Sequence, residues 1–402
     1  MKLVSLSDAF MMIDNLAKEF NIDVEKISLE NAAWRILAEN VNIDHDIPRI
    51  NKAAVDGIAT KWDLISKASP NNPVVLKPGS SESVRPVNMG EGLPDGFDVV
   101  LRWEHVKAGE GEITVSRQFE RWMNVDRKGS YFREGDFAMR KGRILGPQDI
   151  ALLSELGYRQ VPVYRKIRAT VISIGRELLR EDERAISNDY AYVVAGLLRS
   201  YGVEIDGIEV IPDEVADVEE RIRRSIEGSD FILTLGRASS GENDIIPKVI
   251  SRMEESVKIF HGIAMYPGKP TGMVKLGEGK VWIILPGSIL AAITSTVILV
   301  RRLIRRILDV CGPEPSISIA LDDEITPKLG MSKVAYLRII MEDGDVLGEP
   351  LPTGVDNLFT ATYAQAYVVV EPGKYLRRGS RVLARLLTGL SWPPHVWSSQ
   401  YF

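Results

Sequence analysis

Between Gln148 and Leu308 the apolar residues fall into two alternating patterns. Short runs such as "RATVISIG", "VEIDGIEVI", "DFILTLG" and "VWIILPG" are apolar on nearly every position, as strands buried on both faces must be. Between them lie stretches whose apolar residues recur every three or four positions, such as "SNDYAYVVAGLLRSYG", "DEVADVEERIRRSIEG" and "NDIIPKVISRMEE". That spacing predicts helices with one buried stripe. In the first of these, Ser187 or Asn188 is the candidate cap and Gly202 the stop. "PQDIALLSELG" reads as a helix ended by Gly157, "RQVPVY" as a strand, and a long helix runs to Leu308. Strands alternating with helices predict a parallel sheet covered on both sides.

The pattern changes on either side. Residues 1–50 read as two helices and an extended link, the second helix being "LENAAWRILAEN" capped by Ser28. From Asn51 to Asp136, β-like runs such as "GFDVVLRWEHV" and "GEITVSRQF" alternate with Gly and Pro. Short strands and turns return after "CGPEPS". The expected class is therefore α/β and multidomain. Residues 1–50 plus about 137–166 form an N-terminal helical and linker domain, and 51–136 an inserted β-rich domain. Residues 167–315 form the central α/β domain, 316–388 a small β domain, and 389–402 an aromatic tail.

Composition narrows the function classes. A net charge of −5 over 402 residues leaves no broad cationic surface for nucleic acid or an anionic membrane. One cysteine, Cys311, excludes an internal disulfide and a multi-cysteine zinc site. The four histidines, His45, His105, His261 and His395, show no metal-ligand spacing and read as structural. The most apolar stretch, "ILAAITSTVILV", is shorter than the roughly 20 residues of a membrane span and reads as a buried helix. With no signal-peptide pattern at the N-terminus, a cytoplasmic protein is expected.

In an open parallel sheet, ligands bind beyond the carboxyl ends of the strands. Three loops leave such ends here: "IGRELL", "GRASSGEND" and "PGSI". Helices following the second and third aim their N-termini at the same region, which favours anions. In "GRASSGEND", Gly236 and Gly241 are spaced as in a phosphate-cradling P-loop, but Glu242, Asn243 and Asp244 stand where Lys and Ser/Thr belong. Carboxylates beside phosphate repel it unless a cation intervenes, and Mg²⁺ bridges one or two carboxylates to substrate phosphates. Two readings stand level: a magnesium–phosphate loop held by Asp244 and Glu242, or Asp244 as a helix cap with Glu242 in solvent. "MYPGKPTGM" sets Lys269 on a rigid turn, a candidate anion clamp.

Taken in order, these segments resemble the molybdopterin molybdenumtransferases, whose animal relative is the gephyrin E domain. "DIPRINKAAVDGIAT" is similar to the family's "P-x-x-x-x-S-A-M-D-G-Y-A" stretch and places Asp56. "MGEGLPDGFDVVLRWE" resembles "T-G-A-x-L-P-x-G-A-D-A-V-V-x-x-E". "REGDFAMRKGRILGPQDIALLSELG" sets Asp136 at a family acid, and "SIGRELL" sets Glu177 at another. "GRASSGEND" resembles "G-G-V-S-V-G-E-x-D", so Ser239, Gly241 and Asp244 fall on functional positions. "YPGKP" resembles "K-P-G-K-P", giving Lys269, and "LPGSILAA" resembles "L-P-G-N-P-V-S-A", giving Pro286 and Gly287. In the last domain Arg338 matches a family oxyanion arginine.

The resemblance implies a central MoaB/Mog-like pterin-binding domain, two smaller β-rich domains, a helical N-terminal segment and a homodimer. It implies that adenylylated molybdopterin and molybdate or tungstate are bound, that metal is inserted with Mg²⁺, and that AMP is released. Other cofactor-biosynthesis proteins are then candidate partners. The implied roles are catalytic for Asp56, Asp136, Glu177 and Asp244, and substrate-binding for Ser239, Gly241, Lys269, Pro286, Gly287 and Arg338. Asp244 and Glu242 are the implied metal ligands.

The chain departs from the family pattern at Ile58, Met89, Arg176, Arg237, Tyr266, Ser288, Ile289 and Asp356. These departures raise an alternative of another class: a non-catalytic pterin- or nucleotide-binding paralogue acting as carrier, scaffold or sensor. An enzyme acting on another adenylylated or phosphorylated small molecule is a third reading.

Overall fold

The computed structural model describes residues 3–77, 83–109, 111–179, 190–239, 244–254, 256–342 and 344–387. Its described residues divide into two compact units. One comprises Met1–Ala38, Lys141–Gly146 and Gln160–Phe402, the other Glu39–Arg140 and Pro147–Arg159.

The first unit is built around a six-stranded sheet. Its strands run in the order Glu204–Ile211, Arg168–Ile174, Phe231–Leu235, Val281–Leu285, Gly272–Lys275, Val257–His261. The first four are parallel, as the apolar runs predicted, and the last two pair antiparallel. The sheet is thus mixed at one edge. Alternate side chains enter two cores. Val171, Leu233 and Ile283 pack with the helices Leu6–Ala17, Ala191–Ser200 and Ile289–Ser295, while Ile172, Ile232 and Trp282 pack with Val215–Gly228 and Ile245–Arg252. Both faces are covered, which is why the strands lack a polar side. The Trp282 indole donates to Thr234 Oγ1 at 2.8 Å, so the largest buried ring leaves no orphan donor.

The apolar segment at 289–300 is buried throughout. It continues through a π-helical turn, Thr296–Val300, into Arg301–Ile307. Among the described residues no helix is long and apolar enough to cross a membrane. A second six-stranded sheet follows, running from Met265–Tyr266 through Ser332–Glu342, Asp345–Pro350, Ser316–Leu321 and Arg381–Leu386 to Ala366–Val370. Ser332–Glu342 also pairs with Ala366–Val370, which closes the sheet on itself.

The helix expected over 29–40 does not form. Leu29–Asn31 is a single 3₁₀ turn, preceded by the strand Val24–Ser28. Trp34 has φ 67°, which a helix cannot accommodate. The backbone donors go elsewhere: Trp34 to Leu145 O at 2.7 Å, Leu37 to Arg143 O at 2.9 Å and Ala38 to Pro162 O at 3.0 Å. Pairing with a distant segment buries Leu37 completely, and that outweighs local helix propensity. The first expected helix is present, with Ser5 accepting from Asp8 N at 3.0 Å. The candidate caps Ser187 and Asn188, and the aromatic tail 389–402, lie outside the described residues.

The second unit contains two three-stranded antiparallel sheets. One orders Val84–Val87, Gly57–Thr60, Val99–Leu101, and the other Val74–Leu76, Glu112–Val115, Lys107–Gly109. Ile58, Leu101, Ile113 and Val115 share one core. Pro147–Glu155 forms the predicted helix, and Gly157 follows it at φ +82°.

Candidate functional site at the strand ends

The parallel register sets Ser173 beside Leu235 and Leu235 beside Leu285, so the three Gly-bearing loops leave the sheet next to one another. Gly236 stands at φ +89°, and a Cβ there would sit 2.8 Å from the Ile174 carbonyl oxygen. At Gly287 a Cβ would sit 3.1 Å from Gly236 Cα. Two missing side chains let three backbones meet at van der Waals contact. The loops converge as expected, and glycine is required at both points.

Charged side chains ring this junction. Glu177 lies on the 3₁₀ turn Arg176–Leu179, and the Arg237 guanidinium approaches it at 3.2 Å. Arg237 also pairs with Asp213 at 2.9 Å, and its backbone is left-handed at φ 48°. Arg176 pairs with Asp213 at 3.4 Å and with Glu214. Asp213 and Glu214 follow the strand Glu204–Ile211, so a fourth strand end contributes carboxylates that the sequence reading missed. The signal was present in "VIPDE", an apolar run turning into acids like the other three.

Ser239 is exposed, and the preceding Ala238 is buried. The Ala238 carbonyl accepts from His261 Nε2 at 2.8 Å. Burial pushes the His261 pKa down, and Lys258 adds to this, while the Ala238 carbonyl and Asp244 pull the other way. The neutral ring thus pins the loop from below. Asp244 occupies the N-cap position of Ile245–Arg252, with φ −76° and ψ 154°, but its side chain makes no capping hydrogen bond to that helix. Gly241 and Glu242 lie outside the described residues. Among the described residues no group of three or more His, Cys, Asp or Glu is arranged to hold a metal ion.

The Lys269 turn is fixed from beneath. Thr271, fully buried, donates to Gly268 O at 2.7 Å and lies 2.6 Å from Ser295 Oγ. Gly268 has φ +113°, and a Cβ there would meet Met265 Cε at 2.6 Å. Lys269 itself is exposed. Pro286 is buried, and Gly287 and Ser288 lead into the helix at Ile289. The loop 353–357 meets the same region: Tyr266 Oη donates to Thr353 O at 3.1 Å, and Leu290 N to Val355 O at 3.0 Å. Asp356 is exposed on that loop. Arg338, on Ser332–Glu342, is paired across strands with Glu349 at 2.5 Å. In the other unit, Asp56 accepts from Met89 N at 2.7 Å. Asp136 closes a turn by accepting from Arg133 N at 2.8 Å.

Two family descriptions match the chain: "MoeA N-terminal region (domain I and II)" over residues 4–157, and "Probable molybdopterin binding domain" over residues 170–306. The chain is 27% identical over 304 residues to a molybdopterin molybdenumtransferase of Staphylococcus aureus, covering 71% of each protein. The crystal structure of the molybdopterin biosynthesis moeA protein from Pyrococcus horikoshii OT3 superposes with a TM-score of 0.78 at 26% identity. That match covers 96% of this chain and 100% of that one. A molybdenum cofactor biosynthesis protein from Pyrococcus furiosus shares the fold, with a TM-score of 0.61 at 19% identity, over 96% of this chain and 100% of that one. The two matched regions follow one another along the chain, and the second spans all four of the strand ends at the site. This chain is a MoeA-like member of the molybdopterin molybdenumtransferase family.

Proposed function

We propose that the chain acts in molybdenum cofactor biosynthesis, inserting molybdate or tungstate into adenylylated molybdopterin and releasing AMP with Mg²⁺. The observation that carries this reading is the convergence of three glycine-bearing loops, packed backbone to backbone at Ile174, Gly236 and Gly287, beyond the carboxyl ends of the parallel strands. Ser239, Gly241, Pro286 and Gly287 cradle the pterin phosphate and the anhydride, and the N-terminus of Ile245–Arg252 faces their negative charge. Lys269 supplies a cationic clamp on a turn that Thr271 holds rigid. Arg338 meets the metal oxyanion, and Asp56, Asp136 and Glu177 are the remaining catalytic carboxylates.

The residues fit Mg²⁺ of the substrate-bridged kind. The Asp244 side chain makes no capping hydrogen bond to the helix that follows, and a carboxylate beside a substrate phosphate is the donor type that suits this ion. Asp244, with Glu242, would hold the ion. When bound, it neutralises the repulsion between carboxylate and anhydride and polarises the phosphoryl oxygens. Neutral His261 keeps the Ala238 carbonyl turned away from the anions. The working form is a homodimer in the cytoplasm.

The test is AMP release, followed chromatographically, from adenylylated molybdopterin with molybdate and Mg²⁺. Release that requires both is expected. Tight pterin binding with no release would instead identify a carrier.

A further inference from the structure

The helix Arg301–Ile307 carries Arg301, Arg302, Arg305 and Arg306, and the strand Arg381–Leu386 brings Arg385 beside it. All but Arg301 line a cavity of about 310 Å³, whose wall includes Phe10 and the π-turn residues Val297 and Ile298. The cavity shares no residue with the strand-end site.

Two carboxylates face these five guanidiniums. Asp14 is shared by Arg302 at 2.7 Å and Arg306 at 3.1 Å. Glu314 is shared by Arg301 at 2.8 Å and Arg385 at 3.5 Å. Arg305 donates to the Gly312 carbonyl at 2.5 Å and pairs with no carboxylate among the described residues. Burial lowers the Arg305 pKa, Glu314 and Cys311 pull the other way, and the neighbouring guanidiniums of Arg301 and Arg306 lower it further. Arg301 Nε is buried without a hydrogen-bond partner. Among the described residues, five guanidiniums thus face two carboxylates around this cavity, an excess of three positive charges. Guanidinium forks match phosphate oxygens two at a time. The Arg302 guanidinium is already held over the Phe10 ring, 4.4 Å from its centroid.

We propose that this cavity binds a phosphate-bearing small molecule with at least two negative charges, held chiefly by Arg305 and Arg385. Its place beside a π-helical turn suits this, because such turns interrupt regular helix where a site needs space. The bound anion would link the N-terminal helix, whose Phe10 lines the cavity, to the closed C-terminal sheet through Arg385.

Calorimetry on the full chain with inorganic pyrophosphate, in low-chloride buffer, tests this. Saturable binding is expected, weakened about tenfold by Arg305→Gln or by Arg385→Gln, as for loss of one charged hydrogen bond. The binding event that Arg305→Gln and Arg385→Gln weaken should persist in Lys269→Ala, whatever is lost at the strand ends. Val310→Glu keeps every arginine and adds a carboxylate to the wall, so it should weaken binding; because Val310 also packs against the core, binding is compared at a temperature where the circular-dichroism melt shows the variant folded. It decides the matter if the arginine variants fold poorly. Absence of saturable binding to the wild type at millimolar pyrophosphate overturns the proposal. So does binding that survives Arg305→Gln, Arg385→Gln and Val310→Glu, or that disappears with Lys269→Ala, since the anion would then lie at the strand ends.

Discussion

At the carboxyl ends of the central strands, Arg176 and Arg237 stand among Glu177, Asp213 and Glu214, with Asp244 at the start of the next helix. Along Arg301–Ile307 the proportion is reversed, five guanidiniums facing Asp14 and Glu314. Both regions are ion-pair networks, and a count of salt bridges would treat them alike. The excess charge separates them. The acid-rich mouth can accept an anhydride only with a cation alongside, whereas the arginine cavity calls for an anion directly. Exposure separates them less. The Arg237–Glu177 pair is largely in solvent and contributes little, and Arg306 and Arg385 are about as exposed, while Arg301, behind the cavity wall, is buried among aromatic rings.

The sharpest way to break this contrast is Asp244→Asn. Asn keeps the shape of Asp, and the side chain makes no capping bond that the change could remove, so the melting temperature should hold. Loss of a metal-ligand charge should reduce Mg²⁺-dependent AMP release by about a hundredfold or more, the equivalent of several kcal/mol. Superimposable Mg²⁺ titrations of wild type and variant would show that Asp244 does not hold the ion.

Next comes Gly236→Ala, which tests whether the mouth depends on backbone contact. The left-handed φ and the Ile174 carbonyl 2.8 Å away should together cost about 1–3 kcal/mol. A denaturant midpoint equal to the wild type would show that the loop has room to move.

Arg237→Gly restores the residue type of the family pattern and should be nearly neutral, within about 1 kcal/mol. It relieves a left-handed non-glycine residue and removes an exposed pair with Glu177 and a half-exposed one with Asp213, which keeps Arg176 as partner. Freed from Arg237, Glu177 and Asp213 should make the mouth more acidic and raise its affinity for Mg²⁺. Weaker Mg²⁺ binding in the variant would mean that Arg237 organises the acids.

The smallest effect concerns His261. Its pKa is held below the ordinary 6.5 by burial, so the unfolded chain takes up a proton that the folded chain resists. The stability from this group is fully present above pH 6.5 and is lost as the pH falls toward the folded pKa. Unfolding free energy should therefore rise with pH in that window, and His261→Gln should flatten the slope. An unchanged slope would assign the pH dependence elsewhere.

The central strands were legible because each carries apolar residues on both faces, a pattern that only a doubly covered sheet satisfies. Gly236, Gly287, Asp244 and the Lys269 turn were legible because strand ends and glycine spacing are written locally. Hydrogen-bond partners are not. "LENAAWRILAEN" has the composition of a helix, yet its donors reach residues 143, 145 and 162, which no local pattern names. The antiparallel edge formed by Val257–His261 and Gly272–Lys275 depended in the same way on which strand lay beside it.

Charge neighbourhoods belong wholly to the tertiary structure. Sequence determined that Arg176 and Arg237 stand where the family carries other residues, but only the adjacency of strand ends gave them Asp213 as a shared partner. Asp14 and Arg302 are 288 positions apart. Their pairing, and the unmatched charge left on Arg305, arise because two buried helices pack on the same face of one sheet. A sequence fixes which side chains are charged and which face of each element is apolar. Burial of those apolar faces then decides which charges meet.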